Sequence, residues 1–133
     1  MDRFRASVRL LRLALHALHC IAICALVFPW LGAPARMRRV GWACAKALRC
    51  LGIALHVDGT ALPGPVLIVA NHVSWLDILA LNAAQPARFV SKADVQSWPV
   101  LGWIITCGGT LFIQRERKRD AMRVLHQIGR AHV

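Results

Sequence analysis

His72 and Asp77 are the residues of this sequence whose types and spacing best fit acid–base chemistry. They lie in the heptapeptide NHVSWLD at 71–77, directly after the apolar run VLIVA. Ser74 followed three residues later by Asp77 is typical of a capping box, which predicts a helix that begins at Ser74 and leaves His72 in the preceding loop. Such a loop can fold back, so that the carboxylate fixes the tautomer of the imidazole and stabilises its protonated form.

A histidine oriented in this way can take a proton from a substrate hydroxyl, and general-base catalysis of this kind is worth about 10²–10⁴-fold in rate. The spacing by itself leaves a second interpretation open, in which a structural histidine and a helix cap are neighbours by chance. The sequence contains no GxSxG elbow, no Walker motif and no cluster of metal ligands. We therefore predict neither a metal site nor a serine acyl-enzyme.

Short strands and helices alternate from residue 53 onward, and these elements must position the histidine. We predict strands at 53–57, 66–70, 88–91 and 110–113, and helices at 76–84, 99–107 and 117–128. This alternation is typical of an α/β domain with a mostly parallel sheet and flanking helices. Ligand sites in open sheets lie outside the carboxyl ends of the strands, where a loop after the strand at 66–70 would put His72.

The amino-terminal region differs from the rest of the chain in its long uncharged apolar run at 13–31. As a helix the run would be about 28 Å long, close to the roughly 30 Å hydrocarbon core of a bilayer. Arginines flank it on both sides, so the charge rule leaves its orientation ambiguous. We predict an N-terminal membrane-associated helical segment that either spans the bilayer or forms half of a helical pair in one leaflet. A signal peptide cleaved near 33–35 is the competing interpretation.

A second helix is predicted over 37–51, where apolar residues recur at helical spacing. Two interpretations of this helix stay open: an amphipathic helix at the membrane surface, or an ordinary helix that packs on the core of the domain. Trp30 and Trp42 flank the basic turn at 36–39, as interfacial anchors would.

The composition fits a lipid-facing protein better than one that binds nucleic acid. Hydrophobic residues make up 57% of the 133 residues, the mean hydropathy is +0.49, and the formal net charge is +11. Such a charge favours nucleic acid, an anionic lipid surface or a phosphorylated ligand. The tryptophans lie among apolar residues and tyrosine is absent, so we expect no nucleic-acid partner. The five cysteines form no CxxC pair and are predicted to be small buried hydrophobes in a reducing compartment.

The heptapeptide and three later blocks together resemble the glycerolipid acyltransferase family, of the 1-acylglycerol-3-phosphate acyltransferase type. NHVSWLD is similar to the family's NHxxxxD signature. SKAD at 91–94, Pro99 with Gly102, and GGTLFIQR at 108–115 follow in the family's order and look like its K-x-E/D, P-x-x-G and G-x-x-F-I-x-R blocks. The resemblance covers about residues 55–118, and several linked blocks are far more specific than one.

The resemblance implies a role for residues of each block. His72 would be the general base and Asp77 its partner. Arg115 would bind the phosphate of the acceptor, with Lys92 as a second basic contact, since a guanidinium offers a planar fork and an ammonium a point charge. The other substrate-binding residues that the resemblance implies are Asn71, Gly109 and Phe112.

The resemblance also implies a reaction and its partners. A fatty acyl group would pass from acyl-CoA or acyl-carrier protein to the free hydroxyl of lysophosphatidic acid, with no cofactor beyond this acyl thioester donor. Acylation of another lysophospholipid or of a lyso-ornithine lipid is one alternative, and an inactive membrane- or lipid-binding fragment is another. The catalytic domain would face the cytoplasm at the inner membrane, in contact with membrane lipids.

Three segments are therefore expected: a membrane-anchoring helical region at 1–52, a partial acyltransferase α/β domain at 53–127, and an artefactual tail at 128–133. The tail matches what a widely used sequencing adapter encodes in one reading frame, so we expect the natural protein to diverge after about Gln127. The family's third block, of the type FPEGTRS, does not occur in the sequence, which keeps the inactive fragment among the alternatives.

Overall fold

The computed structural model describes residues 2–61, 64 and 66–114. The predicted helix at 117–128, the tail at 128–133 and the predicted phosphate contact Arg115 lie outside these residues. The chain divides after Ala87 into two compact units.

The first unit begins with a long helix, α1, over Asp2–Leu26. This helix begins before the predicted run at 13–31, because the arginines and leucines that precede the run are good helix formers. It ends before the predicted end, because Pro29 lacks an amide donor and its ring clashes with the preceding helical turn. Phe28–Trp30 form a short 3-10 helix instead. By length and composition, Arg3–Leu26 could cross a membrane.

The second helix, α2, covers Ala33–Leu51 and forms an antiparallel hairpin with α1. His16 Nε2 of α1 lies 2.9 Å from the carbonyl oxygen of Ala43, and the guanidinium of Arg9 lies beside Gly52 at the other end of α2. Gly52 ends the helix with a φ of 74°, a left-handed conformation that favours glycine. The two helices therefore stay in contact from Ala43 to the carboxyl end of α2.

The third helix, α3, covers Trp75–Ala84 and packs against α2 at Gly41. A Cβ atom at Gly41 would lie 2.6 Å from Pro86 Cγ and 3.1 Å from the carbonyl oxygen of Asn82, so a larger residue would force the helices apart. Asn82 is buried, and its side chain accepts a hydrogen bond from the N–H of Ala87 at 3.3 Å. These contacts fix α3, whose amino-terminal end carries the loop with His72.

The segments at 53–57 and 66–70, which the sequence predicts as strands, are not strands. A strand exists through hydrogen bonds to a neighbouring strand, and no described segment pairs with either of them. In the second segment, Leu67 is 78% exposed and Val69 is 85% exposed. The prediction of a buried parallel strand at 66–70 is therefore wrong for the described residues, because burying both faces of a strand requires partners that they do not supply.

The second unit contains a small parallel sheet. Strand β1, Val90–Lys92, pairs in parallel with strand β2, Leu111–Ile113. A short 3-10 helix, Ala93–Ser97, and helix α4, Leu101–Cys107, connect the two strands. The predicted elements at 88–91, 99–107 and 110–113 are present with shifted boundaries. The parallel pairing is consistent with the predicted α/β class, but the described sheet has two strands and the described residues are mainly helical.

Gly102 of the P-x-x-G block lies where α4 contacts the 3-10 helix before it. A Cβ atom at this position would collide with the backbone of Gln96 and lie 3.0 Å from the carbonyl oxygen of Val95. The helix begins later than predicted because a tight turn precedes it, in which Val100 has a φ of 61° and the N–H of Leu101 donates to the carbonyl of Pro99. The block thus has a packing role that depends on glycine.

Candidate active site

His72 and Asp77 meet at the amino-terminal end of α3. Their nearest atoms, His72 Nδ1 and Asp77 Oδ2, are 3.4 Å apart, which is within ion-pair range but longer than an optimal hydrogen bond. Catalytic hydrogen bonds are often long without substrate and tighten in the complex. The His72 side chain is 58% exposed and that of Asp77 is 35% exposed, so a substrate can approach the ring.

The backbone of the same loop holds the carboxylate. Asp77 Oδ2 accepts hydrogen bonds from the N–H of Val73 at 2.7 Å and from the N–H of Ser74 at 2.8 Å. Ser74 Oγ in turn accepts from the N–H of Leu76 at 3.0 Å. The capping box predicted from the sequence is therefore confirmed, with Ser74 as the N-cap of α3. It ties the loop that carries His72 to the first turn of the helix.

These contacts lower the pKa of Asp77 from its ordinary value. The largest cause is the hydrogen bond from the Ser74 N–H, and the next is that from Val73; the interactions with His72 contribute less, and partial desolvation opposes them. Asp77 is consequently ionised at neutral pH. Its charge is anchored by the backbone, and the imidazole approaches an acceptor that is already fixed.

The face that His72 presents to Asp77 decides which ring nitrogen can act as a base. A carboxylate beside Nδ1 favours the tautomer with the proton on Nδ1. Nε2 then keeps its lone pair and can accept a proton from a hydroxyl group. Because Asp77 is negatively charged, it also stabilises the imidazolium that this proton transfer creates. The pair can therefore perform general-base chemistry.

Two further residues that the sequence predicts to bind substrate, Asn71 and Lys92, are both accessible to a ligand. Asn71 directly precedes His72 in the loop and is exposed. Lys92, the last residue of β1, forms an ion pair with Asp94. Both side chains of this second pair are more than half exposed, so an anionic ligand can compete for the ammonium group.

Two predicted residues of the last block, Gly109 and Phe112, lie just before β2 and within it. Gly109 has a φ of 84°, a left-handed conformation that explains the glycine, and Phe112 is the middle residue of β2. The side chain of Arg88 lies over Gly109, since a Cβ atom there would be 3.5 Å from Arg88 Nε. Sequence reasoning missed this basic neighbour because nothing around Arg88 in the sequence marks it. Arg115, at the end of the block, lies outside the described residues.

Cys20 and Cys44 are poorly suited to act as nucleophiles. Burial, with a smaller contribution from Cys20, raises the pKa of Cys44 to about 11. Burial also raises the pKa of Cys20. Both thiols stay protonated at neutral pH, whereas the thiolate is the reactive form.

Replacing Ser74 by alanine is expected to lower the free energy of unfolding by about 1 kcal/mol, because the N–H of Leu76 loses its acceptor. Because the same cap orders the loop of His72, any general-base activity of the imidazole should fall as well. Urea unfolding followed by circular dichroism measures the first effect, and Ser74→Thr, which keeps the hydroxyl, is the matched control. An unchanged unfolding free energy in Ser74→Ala would show that the cap does not stabilise the loop.

Comparison with known proteins gives one family and several relatives. The family model described as acyltransferase matches residues 54–132. A lyso-ornithine lipid O-acyltransferase of Pseudomonas aeruginosa is 46% identical over 82 residues, which make up 62% of this chain and 32% of that protein. A 1-acyl-sn-glycerol-3-phosphate acyltransferase of Neisseria gonorrhoeae is 46% identical over 92 residues, which make up 67% of this chain and 36% of that protein.

A third relative, the 1-acyl-sn-glycerol-3-phosphate acyltransferase of Neisseria meningitidis, is 48% identical over 75 residues, or 55% of this chain and 29% of that protein. The chain thus spans about a third of the length of the curated relatives it matches. No solved structure gives a significant match. The names of the relatives contain two kinds of acceptor, a lyso-ornithine lipid and 1-acylglycerol 3-phosphate.

Proposed function

The chain belongs to the acyltransferase family, and we propose that the protein transfers a fatty acyl group to the free hydroxyl of lysophosphatidic acid. The donor is an acyl thioester, either acyl-CoA or acyl-carrier protein, and the product is phosphatidic acid. The names of the two Neisseria relatives support this acceptor. The observation that carries the proposal is the approach of His72 Nδ1 to Asp77 Oδ2, 3.4 Å apart in a loop tied to the start of a helix.

In the proposed reaction, His72 Nε2 accepts the proton of the acceptor hydroxyl while the hydroxyl oxygen attacks the thioester carbonyl. The new C–O bond forms, the C–S bond breaks, and the imidazolium returns its proton to the departing thiolate. Asp77 stabilises the imidazolium between these two proton transfers. The acyl group passes directly from donor to acceptor, and no bond to the chain forms.

We further propose that basic side chains of the second and last blocks bind the phosphate of the acceptor. Arg115 supplies a planar guanidinium, and Lys92 supplies a point charge. In the absence of a ligand, Lys92 is paired with Asp94. A dianionic phosphate can replace this single carboxylate as the partner of the ammonium.

A lyso-ornithine lipid is the second candidate acceptor. The relative from Pseudomonas aeruginosa, a lyso-ornithine lipid O-acyltransferase, favours this acceptor. It is 46% identical to this chain, the same identity as that of the relative from Neisseria gonorrhoeae. The two candidates share the hydroxyl chemistry of His72 and differ in the group that the basic side chains must recognise.

We propose that the α1–α2 hairpin lies in the interface of the cytoplasmic leaflet of the inner membrane and does not span it. Since α2 runs alongside α1, a spanning α1 would carry α2 into the hydrocarbon, where each arginine or lysine costs about 2.5–3.5 kcal/mol at the centre. The basic residues of α2 are Arg36, Arg38, Arg39, Lys46 and Arg49. At the interface these side chains reach the headgroups, while the exposed leucines of α1 face the acyl chains.

The two tryptophans predicted as interfacial anchors differ in their exposure and in their contacts. Trp30, in the connection of the hairpin, is 87% exposed and can enter the headgroup region. Trp42 packs edge-on against the rings of His16 and His19, and Lys46 Nζ lies 5.0 Å from its ring centroid. We therefore assign the anchoring role to Trp30 and a hairpin-packing role to Trp42.

Competition between the two acceptors tests the proposed function. Membranes from cells that express the complete gene receive labelled acyl thioester together with equal amounts of lysophosphatidic acid and lyso-ornithine lipid. We expect labelled phosphatidic acid as the main product, and no such product in membranes with the His72→Ala variant. Predominant labelling of the ornithine lipid would establish the second candidate. Labelling that is identical in both membranes would contradict acyl transfer by this protein.

A further inference from the structure

Three arginines form a stripe along the amino-terminal half of α1. Arg5, Arg9 and Arg12 follow at spacings of four and three residues, which put them on the same side of the helix. They line two adjoining clefts of about 420 and 170 Å³, and both clefts include Arg5 and Arg9. The larger cleft reaches Leu51 at the end of α2, so the stripe lies at the open end of the hairpin. We call it the arginine cleft.

The residues that the structure describes compensate the charges of the arginine cleft only in part. The guanidinium of Arg9 lies beside Gly52, at the carboxyl end of α2, whose carbonyl groups carry partial negative charge. Among the described side chains, the ion pairs are His72–Asp77 and Lys92–Asp94, and neither involves Arg5 or Arg12. Like charges at these spacings repel one another along a helix. An anion in the cleft would relieve this repulsion.

The apolar surroundings of the cleft indicate what kind of anion fits. Leu10 and Leu51 line the larger cleft, and Phe4 and Val8 line the smaller one. Farther along α1, Leu11, Leu15 and Leu18 are all more than half exposed. A guanidinium pair can bind phosphate oxygens through its planar forks, while the leucines contact acyl chains. This combination matches an amphiphile better than a soluble phosphate.

We propose that the arginine cleft binds the headgroup phosphate of an anionic membrane phospholipid and makes attachment of the α1–α2 hairpin selective for anionic lipid. The cleft belongs to the anchoring hairpin and is a site for a resident lipid of the bilayer, separate from the acceptor that reacts at His72. Near an anionic surface, each arginine strengthens binding by about fivefold. The interaction weakens as salt screens the charges.

Vesicle partitioning of the full chain tests this proposal. Sedimentation measures binding to vesicles of phosphatidylcholine alone and to vesicles in which part of it is replaced by phosphatidylglycerol. The wild-type chain should prefer the anionic vesicles. The variant Arg5→Gln/Arg12→Gln should lose more than the about 25-fold in affinity for them that two surface charges supply at about fivefold each, with little change on phosphatidylcholine. Glutamine is as good a helix former as arginine, and unchanged circular dichroism verifies that α1 persists.

The matched control is Arg38→Gln/Arg39→Gln, which removes the same charge from exposed positions of α2 outside the cleft. Its loss on anionic vesicles should not exceed about 25-fold, the contribution of two separate surface charges. Equal losses in the two double variants would overturn the proposal, because binding would then depend on net charge and not on the cleft. Equal wild-type binding to both vesicle types would also overturn it. Release of the chain from anionic vesicles by glycerol 3-phosphate at matched ionic strength would overturn it as well, because the ligand of the cleft would then be a soluble phosphate.

Discussion

Replacing His72 by alanine is expected to lower the rate of acyl transfer by about 10²–10⁴-fold, the usual contribution of a general base. Without the imidazole, the acceptor hydroxyl must attack the thioester while still protonated, and the leaving thiolate has no nearby acid. The KM for the acceptor should change little, because the proposed phosphate contacts involve residues other than His72. The measurement is kcat and KM for labelled acyl thioester in membranes from cells that express the complete gene.

Val73→Ala is the matched control for this prediction. Its side chain is 92% exposed, and alanine retains the backbone N–H that donates to Asp77. This variant should therefore keep near-normal activity, while His72→Ala should fold normally because the His72 side chain is mostly exposed. A His72→Ala protein with wild-type kcat would remove the imidazole from the mechanism.

Replacing Asp77 by asparagine is expected to lower kcat by about 10²-fold or more, up to the loss seen for His72→Ala. The amide oxygen can still accept from the N–H groups of Val73 and Ser74, so the cap and the unfolding free energy should largely persist. The negative charge beside His72 Nδ1 is lost, and the amide N–H₂ can favour the wrong tautomer. The variant therefore separates the electrostatic role of the carboxylate from its structural role.

The double variant His72→Ala/Asp77→Asn provides the internal control. If Asp77 acts through His72, the double variant should be no less active than His72→Ala alone, because groups that work as a unit are not additive. An additional loss of the same size as in Asp77→Asn would contradict this coupling and assign Asp77 an independent role.

The lowered pKa of Asp77 also predicts how the loop responds to acid. A carboxyl whose pKa is lower in the folded than in the unfolded state stabilises the fold above the unfolded pKa, and this stabilisation is lost as the pH falls through the folded pKa. Because the lowering is due first to the N–H of Ser74 and then to that of Val73, the cap should remain intact at neutral pH and weaken only below the ordinary pKa of an aspartate carboxyl. In Asp77→Asn this acid-dependent component should be absent.

The sequence by itself determined the local parts of the site. Ser74 and Asp77 cap a helix through hydrogen bonds that span three residues or fewer, so their pattern predicts both the start of α3 and the loop that carries His72. The linked blocks predicted the family. These features depend on contacts between residues that are near in sequence or on a pattern written in consecutive residues.

The tertiary structure decided the features that depend on distant partners. The antiparallel course of α1 and α2 rests on contacts of His16 with Ala43 and of Arg9 with Gly52. The apolar run at 66–70 has the composition of a strand but makes no ladder with another described segment, because pairing is a property of two segments and not of one. Local hydrogen bonds follow from residue types, whereas helix pairing and strand pairing follow from which remote surfaces the folded chain brings into contact.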